Sequence, residues 1–214
     1  MRKLLIALVV VVVALLVGAD FGLRLTAEYW VGRGLQHDLS LSERPSVSMG
    51  DFPFIPELVT GNVDPVTVQA NGASSAEGIS LESVMLTLHD VTFSPGQLMV
   101  GGRTRIIAVR GEGTAELTER ELDRAVRTSV PATVHLKDGR VVIRLDQSEQ
   151  EVMATASISG GGVVLRPIQP PLPVVSVALP ELVKGLTYRE VRIERDVATL
   201  SFTLQRVAFE IGRS

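Results

Sequence analysis

Three observations predict an α+β fold that is predominantly antiparallel β and preceded by an apolar helix. An unbroken apolar run, Leu4–Val17, opens the chain behind Arg2 and Lys3. From Ser46 onward the apolar residues alternate mostly with period two, the spacing of half-buried strands. Only two later segments carry helix signals. With 214 residues, the chain has room for one sizeable domain after the apolar segment.

The basic pair followed by an apolar stretch is the layout of an export signal, and the charge bias keeps the basic end cytoplasmic. Val17 and Ala19 suit the −3 and −1 positions of a signal-peptidase site. Adding Gly18, Ala19, Phe21 and Leu23 brings the run near the roughly 17–20 residues of a spanning helix, interrupted by Asp20. Residues 1–19 are therefore a signal peptide or an N-terminal membrane anchor, and both alternatives stand. The rest of the chain is expected on the extracytoplasmic (periplasm-side) face, membrane-anchored or membrane-associated. Residues 20–45 read as a juxtamembrane helix (24–37) and linker. Tyr29 and Trp30 either anchor it at headgroup level or pack on the domain.

Residues 46–214 form a single β-rich domain. Strands are predicted at Val63–Ala70, Leu81–Phe93, Arg103–Gly111, Ala132–Leu136, Val141–Leu145, Val152–Ser159, Val163–Ile168, Tyr188–Glu194 and Ala198–Phe209. Asp138-Gly139 is a hairpin turn signal, because both residues tolerate positive φ. In the last strand the apolar parity passes from Leu200, Phe202 and Leu204 to Val207, Phe209 and Ile211, which predicts a bulge near Arg206. Thr118–Thr128 opens with a capping box and reads as a helix with Leu122, Ala125 and Val126 inward and its charged residues in water. A short helix is predicted at Pro180–Lys184, after an extended proline-rich crossing from Pro167 to Pro173. Gly160–Gly162 is a turn; strand-like residues follow it, so it is no phosphate loop.

A formal net charge of −3 offers no nucleic-acid footprint. The chain has no cysteine, which excludes a lipid-attachment cysteine and any disulfide framework. There is no nucleophile elbow, Walker loop, zinc-binding His pair or Asp-x-Asp element, so no catalytic residue, cofactor or metal is assigned. His37, His89 and His135 are isolated, and a lone strand histidine is usually a hydrogen-bonded surface residue.

The most unusual segment is Gly50-Asp51-Phe52-Pro53-Phe54-Ile55-Pro56-Glu57-Leu58. Its prolines fix φ and forbid a central strand. Phe52, Phe54, Ile55 and Leu58 then make a rigid apolar knuckle. It either plugs one end of the core or forms the lip of a pocket or a membrane-facing tip.

The stretch VSMGDFPFIPELVTGNVDPVTVQA (47–70) resembles the start of the mature domain in the actinobacterial LmeA-like phospholipid-binding family. The similarity continues through Gly78, through Leu86–Val91, through VRGEGTAELT before the capped helix, and through LPELVKGL to the final amphipathic strand. The resemblance implies a highly curved sheet wrapped around a helix, similar to tubular lipid-binding domains. It also implies an extracytoplasmic protein that binds phospholipid, notably phosphatidylinositol, and supports cell-envelope lipoglycan synthesis or lipid transport. The partners so implied are phospholipid, the outer face of the cytoplasmic membrane and envelope-synthesis proteins. The acyl-lining candidates are Phe52, Phe54, Ile55, Leu58, Val84, Leu86, Leu88, Phe93, Phe202 and Leu204; in isolation such stripes are more often plain core. Arg103 and Arg105 are the candidates for the headgroup phosphate. An enzyme acting on a lipid-linked glycan and a non-catalytic scaffold of an envelope-synthesis complex are the alternative readings.

Overall fold

A computed structural model describes residues 2–38, 41–74, 80–99, 104–128, 130–137, 139–146, 151–168, 173–179 and 185–211. The apolar run and the expected juxtamembrane helix form one continuous helix, α1 (Arg2–Asp38), about 55 Å long. The chain then runs through β1 (Ser46–Met49), α2 (Phe54–Thr60), β2 (Asn62–Val63), β3 (Val66–Ser74), β4 (Ser80–Thr92), α3 (Pro95–Met99) and β5 (Thr104–Thr118). After α4 (Glu119–Arg127) come β6 (Ala132–Lys137), β7 (Arg140–Leu145), β8 (Glu151–Ser159), β9 (Gly162–Pro167), β10 (Val175–Ala178), β11 (Leu186–Glu194) and β12 (Val197–Ile211). The fold is α+β and mostly antiparallel, as the alternation predicts.

The strands form two sheets. The larger is curled like a half-barrel in the order β1-β3-β4-β5-β12-β11, with β2 paired to β4; the smaller runs β10-β9-β8-β7-β6. Helix α4 joins them, packing on β5 of one and on β6 and β10 of the other. Leu122 and Val126 face the core, and Thr118 caps the helix by accepting the Glu121 N–H at 3.3 Å. The reciprocal half of the predicted capping box is replaced, since the Glu121 carboxylate bonds Arg124. Two of the charges expected in water are also turned to use. Asp123 accepts the Val134 N–H at 2.8 Å and Glu119 the Leu136 N–H at 2.7 Å. These carboxylates cover amides of β6, an edge strand that would otherwise be open to pairing.

Several expected elements shift. The strand over Val63–Ala70 breaks at Asp64-Pro65 into β2 and β3, because proline cannot continue the ladder. The strand expected to stop at Gly111 runs on to Thr118. The knuckle holds the helix α2, in which Pro56 sits in the first turn, where its missing N–H leaves no bond unmade. β10 has no counterpart among the predicted elements. The predicted Pro180–Lys184 helix, Asp138 and residues 169–172 of the proline-rich crossing lie outside the described residues. Lys137 pairs with Arg140 and Ser159 with Gly162, so both expected hairpin turns are in place. Gly160 (φ 60°) and Gly161 (φ 78°) occupy the second turn.

Where a bulge is predicted at Arg206, the register runs on unchanged and the strand instead kinks together with two neighbours. The row His89–Arg110–Gln205 is followed by the row Val91–Ala108–Val207, leaving Asp90, Val109 and Arg206 without register partners. Asp90 and Arg206 have φ of 53° and 48°, the left-handed region that is costly for residues with a Cβ. On the apolar face just beyond the kink, Gly111 and Gly113 make room for their neighbours. A Cβ at Gly113 would lie 2.6 Å from the Phe202 ring and closer still to the Met85 carbonyl. At Gly111 it would meet the flexible end of Leu88 at 2.9 Å.

Two substitutions of opposite sense test this geometry by denaturant unfolding. Gly113→Ala should cost about 1–3 kcal/mol through overpacking against backbone, more than Gly111→Ala. Arg206→Gly removes the Cβ at positive φ and should gain about 0.5–1 kcal/mol.

Candidate functional site

The inner face of the larger sheet is a continuous apolar surface built row by row from the strand register. One row is Ala70, Val84, Ala115, Leu200 and Val191, and the next is Val68, Leu86, Gly113, Phe202 and Tyr188. The third, next to the kink, is Val66, Leu88, Gly111, Leu204 and Leu186. Five of the candidates named from alternation, Val84, Leu86, Leu88, Phe202 and Leu204, thus share one face. They differ in access. Phe202 and Leu204 are buried at 2% and 1% exposure, and Leu88 at 6%, while Val68, Val84 and Leu86 are half-buried. The face is closed over β12 and partly open over β3 and β4. Leu88 and Phe202 occupy the space that the two glycines leave on β5.

Phe202 meets the Tyr188 ring edge-on, with centroids 6.1 Å apart. Burial pushes the Tyr188 phenol up to about 12. No catalytic demand is implied, because a phenol in an apolar wall shifts this way through desolvation alone.

The knuckle residues stand apart from these rows. Phe54 is 1% exposed, Leu58 and Phe93 pack half-buried on the core, and Ile55 is half-buried. Phe52 is 57% exposed and stacks on Phe21 of α1 with centroids 6.1 Å apart. Pro53 gives α2 no side-chain cap. The cap comes instead from Asp20, which is 4% exposed and accepts the N–H groups of Phe54 at 2.9 Å and Ile55 at 2.6 Å. Further along α1, Arg24 bonds Ser48, and Glu28 accepts from Arg24 and from the Met49 N–H. A Cβ on Gly32 would come within 2.9 Å of the Pro45 carbonyl oxygen, so glycine there permits the close approach. Tyr29 and Trp30 are exposed, edge to face with each other, with Arg44 stacked 4.7 Å over the tyrosine ring. Glu57 on α2 has a buried oxygen without a hydrogen-bond partner, and burial raises its pKa above the ordinary carboxylate value.

Of the two headgroup candidates, Arg103 lies outside the described residues. Arg105 is exposed on the outer face, beside Glu210 in register, so the structure does not bring it to the apolar rows. A separate pocket of about 400 Å³ lies on that outer face at the kink, lined by His89, Arg110, Glu112, Arg189, Thr203 and Gln205. Its arginines went unremarked in the sequence because only the kink and the bulge at Arg189 bring them together. Arg110 faces Asp90 at 3.5 Å, Arg189 donates to Thr203 at 3.0 Å, and His89 bonds Asp64 at 2.9 Å. Among the described residues, no group of three or more His, Asp or Glu side chains is placed to hold a metal.

A sheet face of this kind is open to many apolar ligands, and comparison with known proteins narrows the choice. The family model described as LmeA-like phospholipid-binding matches residues 18–213. The chain belongs to that family. The LmeA-like match begins inside α1, so the part of that helix clamped by Asp20, Arg24 and Glu28 falls within the matched region. The LmeA-like family is described by binding and not by catalysis, and phospholipid is its ligand class. No curated protein and no solved structure matches the chain.

The Tyr188 environment gives a pH prediction. Its phenol stays neutral above pH about 10, where unfolded tyrosine ionises. Its contribution to stability is therefore complete below that pH and is lost as pH rises through about 12. In an alkaline absorbance titration, one of the two tyrosines should ionise near pH 12, and Tyr188→Phe should remove that step.

Proposed function

We propose that the protein is held by α1 at the outer face of the cytoplasmic membrane and binds one phospholipid, its acyl chains lying against the inner face of the larger sheet. Residues 46–214 are the lipid-binding body, and the first nineteen residues are a retained membrane segment. The observation that carries the reading is the half-open strip Val68–Val84–Leu86 running beside the glycine notches of β5, in a chain of the LmeA-like family. Rotating Leu88 and Phe202 out of the notches at Gly111 and Gly113 would leave bare backbone for an acyl chain to lie on. A methylene taken from water would contribute about 0.8 kcal/mol, whereas one taken from the bilayer gains little. Phosphatidylinositol is the headgroup class this reading favours, and support of envelope lipoglycan synthesis or lipid transport is the role. The protein binds and presents; it performs no chemistry.

Two adjacent residues on opposite faces provide the test. Leu86 faces the strip, whereas Met85 is 47% exposed on the outer face. Full-length protein extracted from membranes should carry stoichiometric phospholipid by mass spectrometry. Leu86→Glu should lower lipid occupancy at least tenfold with the circular dichroism unchanged, and Met85→Glu should leave it intact. A folded Leu86→Glu variant that keeps its lipid overturns the placement.

A further inference from the structure

The uninterrupted apolar run of α1 is shorter than the membrane that it would cross. Leu4–Val17 is fourteen residues, about 21 Å of helix, against a hydrocarbon core of about 30 Å. Counted from the basic pair Arg2-Lys3, about 30 Å of helix ends at Leu23, immediately before Arg24. The one charge inside that span is Asp20. A free carboxylate is expensive within a bilayer, and such residues face protein and find partners there. Asp20 does both, since it is buried and its two oxygens are taken by the amides that open α2.

The consequence is mechanical. A short hydrophobic segment is accommodated by local thinning of the bilayer and snorkelling of its flanking residues, which sets those flanks at the edge of the apolar layer. The turn Gly18–Leu23 that completes the span is bonded to α2, so α2 is set there with it. The side chains that arrive there suit the place: Phe21, Leu23 and Phe52 are 52%, 44% and 57% exposed, and the two phenylalanine rings are stacked. Exposed phenylalanine and leucine side chains are buried at the headgroup–acyl boundary by membrane-surface segments. We infer that the Phe21–Phe52 pair and the first turn of α2 form a wedge seated in the outer-leaflet acyl–headgroup boundary, held at that depth by Asp20. The inference rests on the membrane-anchored reading above. It adds to it a contact surface on the folded domain, continuous with the span.

Depth-dependent quenching tests it in the full-length chain, reconstituted in phosphatidylcholine–phosphatidylglycerol vesicles with brominated acyl chains. Trp30 is the single tryptophan, so Trp30→Phe gives a silent background. In it, Phe52→Trp reports on the wedge, and Ile168→Trp, exposed just past the end of β9, reports on the smaller sheet. The expected result is co-flotation with vesicles, at least twofold quenching of Phe52→Trp and none of Ile168→Trp. Adding Asp20→Ala should weaken the Phe52→Trp quenching while flotation persists. Flotation without quenching at position 52, or equal quenching at both positions, overturns the wedge and leaves the anchor standing. Failure to float overturns the anchored reading, and the wedge with it.

Discussion

A strand alternates its side chains with period two, so strands of thirteen to fifteen residues keep one apolar face only if the sequence alternates without a slip. In β4, β5 and β12 it does slip, between Leu88 and Val91, between Gly111 and Ala108, and between Leu204 and Val207. A slip in one strand alone would turn its apolar residues to water. All three strands slip at the same level, through Asp90, Val109 and Arg206, and the apolar residues on both sides of the kink remain in the core. Two left-handed residues bear the backbone cost, and the ion pair Arg110–Asp90 spans the site. The curl of the sheet, its continuous inner face and the polar pocket on its outer side all depend on that alignment.

The Asp20 carboxylate plays the same organising part at the other end. Helix α2 is seven residues long and starts at a proline that offers no cap, so its first amides need an acceptor from elsewhere. Asp20 supplies it from thirty-four residues upstream, and the carboxylate at a helix N-terminus is favoured by the helix dipole as well. Glu28 holds the chain just before α2 in the same way, accepting the N–H of Met49 at the end of β1. Because these bonds join α1 to α2 and β1, the helix that leaves the apolar segment is part of the domain's structure.

Local signals in the sequence found most of this fold, and where they failed the cause was non-local. The alternation placed β4, β8 and β12, the parity switch placed the kink at Arg206, and Thr118 placed the start of α4. Helix α2 was illegible because its cap is Asp20, while Pro53 precedes it and Pro56 lies within it. The extension of β5 through Gly111 and Gly113 was hidden because glycine disfavours strands except where a neighbour needs the space, and Leu88 and Phe202 are those neighbours. Alternation likewise grouped Val84, Leu86, Leu88, Phe202 and Leu204 correctly on one face. It gave no means of telling that Phe202 and Leu204 are enclosed and Leu86 half-open, because burial depends on what lies across the sheet. Phe52 and Phe54, two residues apart, are both acyl-lining candidates in the sequence, yet one is exposed and the other sealed.

The source of the ligand decides what holds it. For a lipid arriving from water, displacing a buried leucine and phenylalanine costs about 3–6 kcal/mol, and some four to eight methylenes repay it. A lipid drawn from the bilayer has no such gain, since its chains leave one apolar medium for another as apolar as leucine. The cost of moving Leu88 and Phe202 then has to be met at the polar end, where hydrogen bonds from a cation to phosphate contribute roughly 1.5–3 kcal/mol each. Arg105, Arg110 and Arg189, whose guanidinium forks suit phosphate, stand on the outer face of this sheet, away from the rows on which the chains would lie. On the proposed membrane-held reading the protein is in this second situation, so that selectivity would rest on the headgroup and the apolar face would set only whether a chain fits.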